Sequence, residues 1–324
     1  MPQINYSLED LEACKNYFLE KRTQLKNIKW ILMNKYVAAV LGGGFFWGFM
    51  GFFTRHLAEY GINSNGAIIV RCGVGAVCFG ILILCTDRGR FRVRLKDLWC
   101  FLGTGLLSLL FFTFCYFHAI SMMSLSTAAI LLYTAPAIVM LLSAVLFHES
   151  FTPVKITALA LAFAGCCLVS GIGTDSVLTP AGFLFGIGSG FGYALYTIFS
   201  RYALQRGYSS STINFYSCLF AAFGAFVIWR PVELFSVMTS SGDAFLWCLA
   251  TGVLSCFVPY MLYTYGLTGL ENGQASILAS VEPVVASLVG VFIFHETLTI
   301  PAIIGVILVL TAILLLNQKP SRSS

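Results

Sequence analysis

Ten apolar stretches constrain this chain more than any other feature of its sequence. An α-helix needs about 20 apolar residues to cross a hydrocarbon core of about 30 Å. Only 10% of the 324 residues are charged, against roughly 25% in a soluble domain. The sequence therefore predicts an all-α membrane protein of ten transmembrane helices, at residues 36–54, 64–85, 98–118, 124–147, 153–171, 180–200, 211–229, 244–266, 275–294 and 300–316.

The basic residues predict the orientation of these spans. With the N-terminus placed in the cytoplasm, the inner segments hold 16 of the 19 Lys and Arg residues. The outer segments hold Arg55 and Arg230, and Arg71 lies within a span. Cytoplasmic loops carry an excess of Lys and Arg. We therefore expect a multi-pass protein of the cell (plasma or inner) membrane with both termini in the cytoplasm.

An internal duplication is the second constraint. LFHESFT at 146–152 and IFHETLT at 293–299 share four of seven positions at an offset of 147. The same offset relates Pro136 to Pro283 and Tyr116 to Tyr263. At an offset of 146, one set of residues falls on identical residues of the second half: Gly42, Gly44, Arg55, Gly61 and Cys72 on Gly188, Gly190, Arg201, Gly207 and Cys218.

The number of spans in each copy determines how the two copies are related. Each repeat holds five spans, so the second must enter the membrane in the opposite sense. We therefore predict two inverted five-helix repeats, at 36–171 and 180–316, in one membrane domain. Such repeats recur in secondary transporters, whose substrates bind near midplane at the repeat interface.

Residues outside the repeats form two short segments, an N-terminal segment at 1–35 and a cytoplasmic tail at 317–324. Within the first, Leu8, Leu11, Phe18, Leu25 and Ile28 are spaced for an amphipathic helix on the inner membrane surface. The alternative, which we favour, is that residues 1–32 are dispensable.

Several motifs resemble one known family. They are FFWGFMGFF at 45–53, IIVRCG at 68–73, AAILLYTAPAIVMLLSAVLFHE at 128–149 and its counterpart ASILASVEPVVASLVGVFIFHE at 275–296. Together and in this order they resemble the EamA-type transporters of the drug/metabolite transporter superfamily, over residues 36–316. The resemblance implies a ten-helix bundle that exports metabolites or amino acids, with substrates that differ widely among members.

Two ionisable residues lie well inside predicted spans, Glu282 and Arg71. Because a charge within a membrane is costly, both are candidates for substrate or ion contact. Each is the eighth residue of its span, but the two helices start from opposite faces, so a direct pair is not assured. If both face one cavity, they bind the two charges of a zwitterion; otherwise each pairs with a neighbour and holds the bundle together.

Polar-tipped aromatic residues within the spans are further substrate-binding candidates, since such rings stack on a solute and hydrogen-bond its polar edge. Bulk packing is the alternative for each of them. The candidates are Trp47, Tyr116, His118, Tyr133, Tyr193, Tyr196, Tyr260 and Tyr263.

Helix breaks and gating are expected at two repeat-related places. Pro136 and Pro283 each remove one backbone hydrogen bond and free the carbonyl four residues earlier. A freed carbonyl beside Glu282 suits a cation or a proton, whereas a simple packing kink is the alternative. Glu149 and Glu296 end the two FHE motifs and are expected to cap or gate rather than bind a metal.

The sequence thus favours a secondary transporter of small organic metabolites, amino acids or similar amphipathic solutes, working by alternating access in the export direction. Alternatives are an importer or exchanger of phosphate esters or drugs and, from another class, a receptor or channel. The eleven Cys residues form no CxxC pair, and we find no catalytic or metal-ligand motif. We expect no enzyme activity, cofactor, metal or nucleic acid. The expected partners are the substrate, the bilayer and a coupling proton or ion, in a monomer or homodimer.

Overall fold

The computed structural model describes residues 35–171, 179–229, 234–295, 297 and 299–317. Most of the N-terminal segment and of the tail lies outside this part, and so does Glu296. The prediction that residues 1–32 are dispensable, and the gating role predicted for Glu296, therefore lie outside the described residues.

Ten helical segments account for most of the described chain, and no strand occurs among the described residues. Nine are long and apolar enough to cross a membrane, and the tenth is an apolar helix of 17 residues. This confirms the predicted fold. The segments are α1 Lys35–Glu59, α2 Asn65–Thr86, α3 Leu95–Met122, α4 Thr127–Phe147, α5 Pro153–Ser170, α6 Pro180–Gln205, α7 Ser210–Trp229, α8 Gly242–Leu267, α9 Asn272–Phe294 and α10 Ile300–Leu316.

Threonine caps explain where several helices begin. The hydroxyls of Thr152, Thr179 and Thr299 accept the third backbone N–H of α5, α6 and α10 at 3.3, 3.1 and 3.4 Å. Each is followed within two residues by a proline, which lacks an N–H that the first helical turn would leave unpaired. Local sequence thus sets these three starts.

Several helices run further than their apolar runs predicted. The α3 helix begins at Leu95 rather than 98, and α6 continues to Gln205 rather than 200. Near these ends, buried Asp97 pairs with Arg206 at 3.1 Å and accepts a hydrogen bond from the Tyr208 hydroxyl at 2.7 Å. Because hydropathy does not detect such pairs, it places these ends too early or too late.

The inverted repeat is visible in the backbone itself. Gly61 and Gly207, related by the offset of 146, both have positive φ, at 81° and 84°. His148 and His295, related by the offset of 147, end α4 and α9 with φ of 56° and 55°. Positive φ is uncommon for residues other than glycine, so these shared values mark equivalent turns in the two halves.

Helix irregularities also occur at corresponding positions of the two halves. The α4 helix is interrupted at 133–134, before Pro136, and α9 at Ser280, before Pro283. π-helical turns occur at Gly103–Leu110 in α3 and Val253–Phe257 in α8. π-turns and broken helices concentrate at functional sites. These four irregularities therefore indicate a functional site in the interior between the repeats.

Both membrane faces can be named by the ends of α1. We call them the Lys35 face, where α1 begins, and the Glu59 face, where it ends. Glu282 lies ten residues after the start of α9 at the Lys35 face, or about 15 Å along the helix. Glu282 is therefore near the middle of the membrane, deeper than the sequence alone suggested.

The last helices of the two repeats, α5 and α10, pack closely along each other. A Cβ at Gly165 would lie 2.7 Å from the carbonyl oxygen of Gly305, which is closer than any real contact. We expect Gly165→Ala to destabilise the protein by about 1–3 kcal/mol through this overpacking. Thermal unfolding in detergent measures the effect. Gly73→Ala, where a Cβ meets no atom within 4 Å, should not lower the melting temperature, since alanine favours the helix over glycine.

Candidate functional site

One internal cavity lies between the interrupted parts of α4 and α9. We call it the carboxylate cavity because Glu282 contributes to its wall. The two repeat-related breaks therefore face each other across a single space. Its lining residues are Leu132, Tyr133, Ala135, Pro136, Tyr193, Ser276, Ala279, Ser280 and Glu282.

Two prolines lie at the helix breaks beside this cavity. Because a proline has no N–H, Pro136 and Pro283 leave the carbonyls of Leu132 and Ala279 without their usual helical donor. Leu132 and Ala279 are both lining residues of the cavity. Each repeat thus contributes one such residue to the lining, and the cation or proton site predicted beside Glu282 stays a prediction.

Two repeat-related glycines let neighbouring helices approach these breaks. A Cβ at Gly44 of α1 would lie 3.1 Å from the carbonyl oxygen of Ala279. A Cβ at Gly190 of α6 would lie 3.2 Å from that of Leu132. The helices α1 and α6 thus contact the breaks of α9 and α4 in the same way, as an inverted repeat requires.

Glu282 is half-buried, and the Tyr193 hydroxyl donates to its Oε2 at 3.5 Å. Within the described ranges, no Lys, Arg or His lies within 4.0 Å of its carboxylate. A carboxylate near midplane without a cationic partner is costly. It therefore suits a positively charged ligand, or a proton, better than a purely structural role.

A second cavity lies on the other side of Tyr193, which lines both. We call it the aromatic cavity. The Trp47 ring centroid lies 5.1 Å from that of Tyr260, 5.3 Å from that of Tyr263 and 6.3 Å from that of Tyr193. Each cavity has room for about one water molecule in this conformation. The aromatic cavity is lined by Trp47, Ser108, Leu109, Phe112, Tyr193, Tyr196, Thr197, Tyr260 and Tyr263.

A buried hydrogen-bond network fixes the rings of the aromatic cavity. The Tyr196 hydroxyl contacts Thr264 at 2.9 Å and donates to the Asn214 side-chain oxygen. The Asn214 amide in turn donates to the carbonyl of Tyr260 at 3.1 Å. On α6, Thr197 contacts the Tyr263 hydroxyl at 2.7 Å. These bonds join α6, α7 and α8, so the tyrosines are pre-oriented rather than free to rotate.

Arg71 occupies a different place from the one that a zwitterion site needs. Its Nη2 donates to the carbonyl of Ser255 at 3.2 Å, a carbonyl freed because Pro259 follows four residues later. Arg71 is not among the lining residues of either cavity. The structure thus does not place Arg71 and Glu282 in the lining of one cavity; Nη2 of Arg71 supports the α8 backbone, and its Nε is buried without a hydrogen-bond partner among the described residues.

A polar cluster joins the repeats at the Lys35 face, and we call it the clasp. Glu149 accepts the backbone N–H of Asn272 at 2.8 Å and of Gly273 at 3.2 Å, at the start of α9. Arg201 donates to the Asn272 side chain at 2.6 Å and to the carbonyls of Leu267 and Leu270. A carboxylate at a helix N-terminus also interacts favourably with the helix dipole.

Further contacts strengthen the clasp. Lys155 at the start of α5 pairs with Glu271 and donates to the carbonyl of Ser150 at 2.9 Å. The Asn272 amide donates to the Ser143 hydroxyl of α4 at 3.0 Å. The clasp thus connects the α4–α5 turn of one repeat to the α8–α9 turn of the other.

The remaining predicted residues lie in several environments. Tyr133, Tyr193, Trp47, Tyr196, Tyr260 and Tyr263 line the cavities. Tyr116 stacks on Phe112 at 5.9 Å outside the cavity lining, and His118 lies further along α3, bonded to the Phe114 carbonyl and stacked on Phe185. Asn214, Thr264 and Asn272 were not among the predicted residues, and Arg201 was identified only as a repeat match. The available signal was Asn214, a polar residue within the predicted span 211–229; Arg201 and Asn272 lie just outside the predicted spans 180–200 and 275–294.

Comparisons with known proteins agree with this architecture. The model of the EamA-like transporter family matches residues 34–171 and 180–318. An uncharacterized transporter of Archaeoglobus fulgidus is 34% identical over 200 residues, covering 62% of this chain and 70% of that protein. The uncharacterized transporter YwfM of Bacillus subtilis is 27% identical over 165 residues, covering 51% of this chain and 55% of that protein.

A solved crystal structure shares the fold. Its TM-score is 0.74 over 87% of this chain and 96% of that one, at 15% sequence identity. At this identity the likeness concerns the fold alone. The family match, in contrast, spans both halves of the chain. This chain therefore belongs to the EamA-like transporter family and is a membrane transporter.

Proposed function

We propose that this protein exports amino acids or similar amphipathic metabolites across the cell membrane by alternating access. One observation carries the proposal: the two repeat-related helix breaks face each other across the cavity that contains Glu282. Discontinuous helices at corresponding positions of inverted repeats form the substrate and coupling-ion sites of secondary transporters. An aromatic cavity beside the carboxylate offers the apolar surface that an amphipathic solute needs.

The clasp supports the alternating-access part of this proposal. Its contacts join the two repeats at the Lys35 face only a few turns from the cavity, so breaking them opens a path from that face. Arg55 is the repeat-related counterpart of Arg201 at the Glu59 face, where its guanidinium lies 4.1 Å from the Phe294 ring centroid. An inverted repeat is expected to close the two membrane faces by equivalent contacts.

The positive-inside count supports placing the Lys35 face in the cytoplasm. In that orientation a solute enters the cavity when the clasp opens and leaves when the Glu59 face opens. Either a proton or a solute cation neutralises Glu282 during the cycle. Exchange of one solute for another uses the same two states, and the direction of net flux follows the gradients.

Counterflow in proteoliposomes tests the proposal. Vesicles holding the purified chain are loaded with an unlabelled amino acid, amine or organic anion, and uptake of the labelled compound is followed. We expect transient accumulation for at least one solute. A membrane receptor or a channel gives no such accumulation. Absence of counterflow for the whole panel, with a cooperative thermal transition showing intact protein, contradicts the proposal.

Substitution of the repeat-related proline tests the role of the helix break. We expect Pro283→Ala to restore the backbone N–H, pair it with the Ala279 carbonyl and straighten α9, which slows counterflow by about tenfold. The melting temperature should not fall, since a helical hydrogen bond is gained. Pro301→Ala at the start of α10, where proline leaves no bond unmade, is the control and should transport normally. Equal rates for both variants would show that the break is not part of the cycle.

A further inference from the structure

We propose that the carboxylate cavity recognises the ammonium group of an organic amine, so that an amine binds without any carboxylate group. This inference rests on the proposed transport function and narrows its substrate class. It predicts that the solute is an organic cation or the ammonium end of a larger amphipathic molecule. Four observations lead to it.

The charge of the cavity is the first observation. Glu282 is the one ionisable carboxylate among the lining residues of the two cavities, and no lining residue of either is a Lys, Arg or His. The carboxylate also has no ion-pair partner within the described part of the chain. A ligand with one positive charge complements the lone carboxylate of the cavity lining, whereas an anionic ligand places a second negative charge beside it.

The arrangement of oxygen atoms is the second observation. The carbonyls of Leu132 and Ala279 lack their usual donors because of Pro136 and Pro283, and both residues line the cavity beside Glu282. An ammonium group has several N–H donors and no acceptor. It can donate to the Glu282 carboxylate and carries the charge that complements it, which an anion cannot do.

The aromatic lining is the third observation. Tyr133 and Tyr193 line the carboxylate cavity, and Trp47, Tyr260 and Tyr263 lie beyond Tyr193. Aromatic faces attract organic cations, most strongly where water is excluded. Inorganic cations are less suited, because a metal such as Ca²⁺ takes six to eight oxygen ligands and only one carboxylate is present. The rings also accept the apolar part of an amine.

The position of Arg71 is the fourth observation. A site for a zwitterion needs a cation to bind the substrate carboxylate, and Arg71 is the obvious candidate from the sequence. Its guanidinium instead contacts the Ser255 carbonyl, and Arg71 lines neither cavity. A solute carboxylate therefore has no cationic partner among the lining residues. The cavity recognises the solute through its ammonium group.

Binding of matched compounds tests the inference. One set is leucine, 3-methylbutylamine, which lacks the carboxylate, and 4-methylpentanoate, which lacks the amine; the second is phenylalanine, 2-phenylethylamine and 3-phenylpropanoate. Affinity for the full-length chain in detergent is measured by titration calorimetry. We expect the amine of at least one set to bind at least about tenfold more tightly than its carboxylate counterpart.

Variants locate the binding. Glu282→Gln should weaken amine binding by at least about tenfold, while Arg71→Gln should change it by less than about threefold. Glu59→Gln, at an exposed residue at the end of α1, is the matched control for the loss of one carboxylate. Melting temperatures establish that each variant is folded. If Arg71→Gln does not fold, the ranking of the amine and carboxylate affinities of the wild type still tests the inference.

The outcomes separate this inference from the proposed function. Tighter binding of the carboxylate compounds, unchanged amine binding in folded Glu282→Gln, or no binding of any of the six compounds overturns the inference. If only the carboxylate compounds show counterflow, the transport function is supported and recognition of amines is contradicted. Amine binding at Glu282 without counterflow of any solute supports the site and contradicts transport.

Discussion

Replacing Glu282 by Gln is expected to reduce counterflow by about 10- to 100-fold while leaving the fold intact. The carboxylate near midplane lacks an ion-pair partner in the described chain and receives one long hydrogen bond from Tyr193. Because the carboxylate makes few contacts that stabilise the fold, its removal should not unfold the protein. A hydrogen bond to a charged group contributes about 1.5–3 kcal/mol, which corresponds to the expected loss.

The measurement is initial counterflow from about pH 5 to about pH 8, a range that lies above the ordinary carboxyl pKa of about 4.3 and contains the ordinary histidine pKa of about 6.5. Glu59→Gln serves as the matched control and should transport as the wild type does. If Glu282→Gln transports normally at every pH, neither coupling nor solute binding involves this carboxylate. A loss of transport accompanied by a lower melting temperature would instead show a structural role.

The clasp supplies the second large effect. Glu149→Ala is expected to leave the first two backbone N–H groups of α9 without an acceptor. The closed state should lose about 1–3 kcal/mol, which shifts the balance toward an opening at the Lys35 face by about 5- to 150-fold. Arg201 keeps its carbonyl contacts at Leu267 and Leu270, so the α8–α9 turn stays folded.

Access to the cavity reports this shift. Ser276 is buried on α9 and lines the carboxylate cavity. In a background without the native cysteines, a Cys placed at Ser276 should react about tenfold faster with a membrane-impermeant maleimide in Glu149→Ala than in the parent. Glu149→Gln, which keeps one acceptor oxygen, should give an intermediate rate. Equal rates in all three proteins would mean that the clasp does not control access.

The sequence predicted the spans, the duplication and the two proline breaks, because each leaves a local signal. Apolar length identifies a span, and Pro136 and Pro283 cannot donate a backbone hydrogen bond. The breaks were therefore expected at the right places. Their position across one cavity was not, since it depends on how α4 and α9 pack.

Other parts of the site could not be predicted for a related reason. Helices that are apolar on all sides carry little periodicity to show which face is buried, so the sequence did not separate the cavity-lining tyrosines from Tyr116 or His118. The partner of Arg71 depends on the π-turn of α8 and on Pro259, 188 residues away along the chain. Arg201 and Asn272 meet only when the two repeats come together.

Distances across the two faces test the central claim, that the repeats alternate around the cavity containing Glu282. Spin labels are placed at exposed Phe151 and Thr268 on the Lys35 face, or at exposed Glu59 and Thr297 on the Glu59 face, in a background without native cysteines. Electron–electron distance measurements in liposomes should show two populations for each pair. A transported solute, or Glu149→Ala, should shift the two pairs in opposite senses. A single unchanging distance at both faces in a protein that performs counterflow would contradict the account.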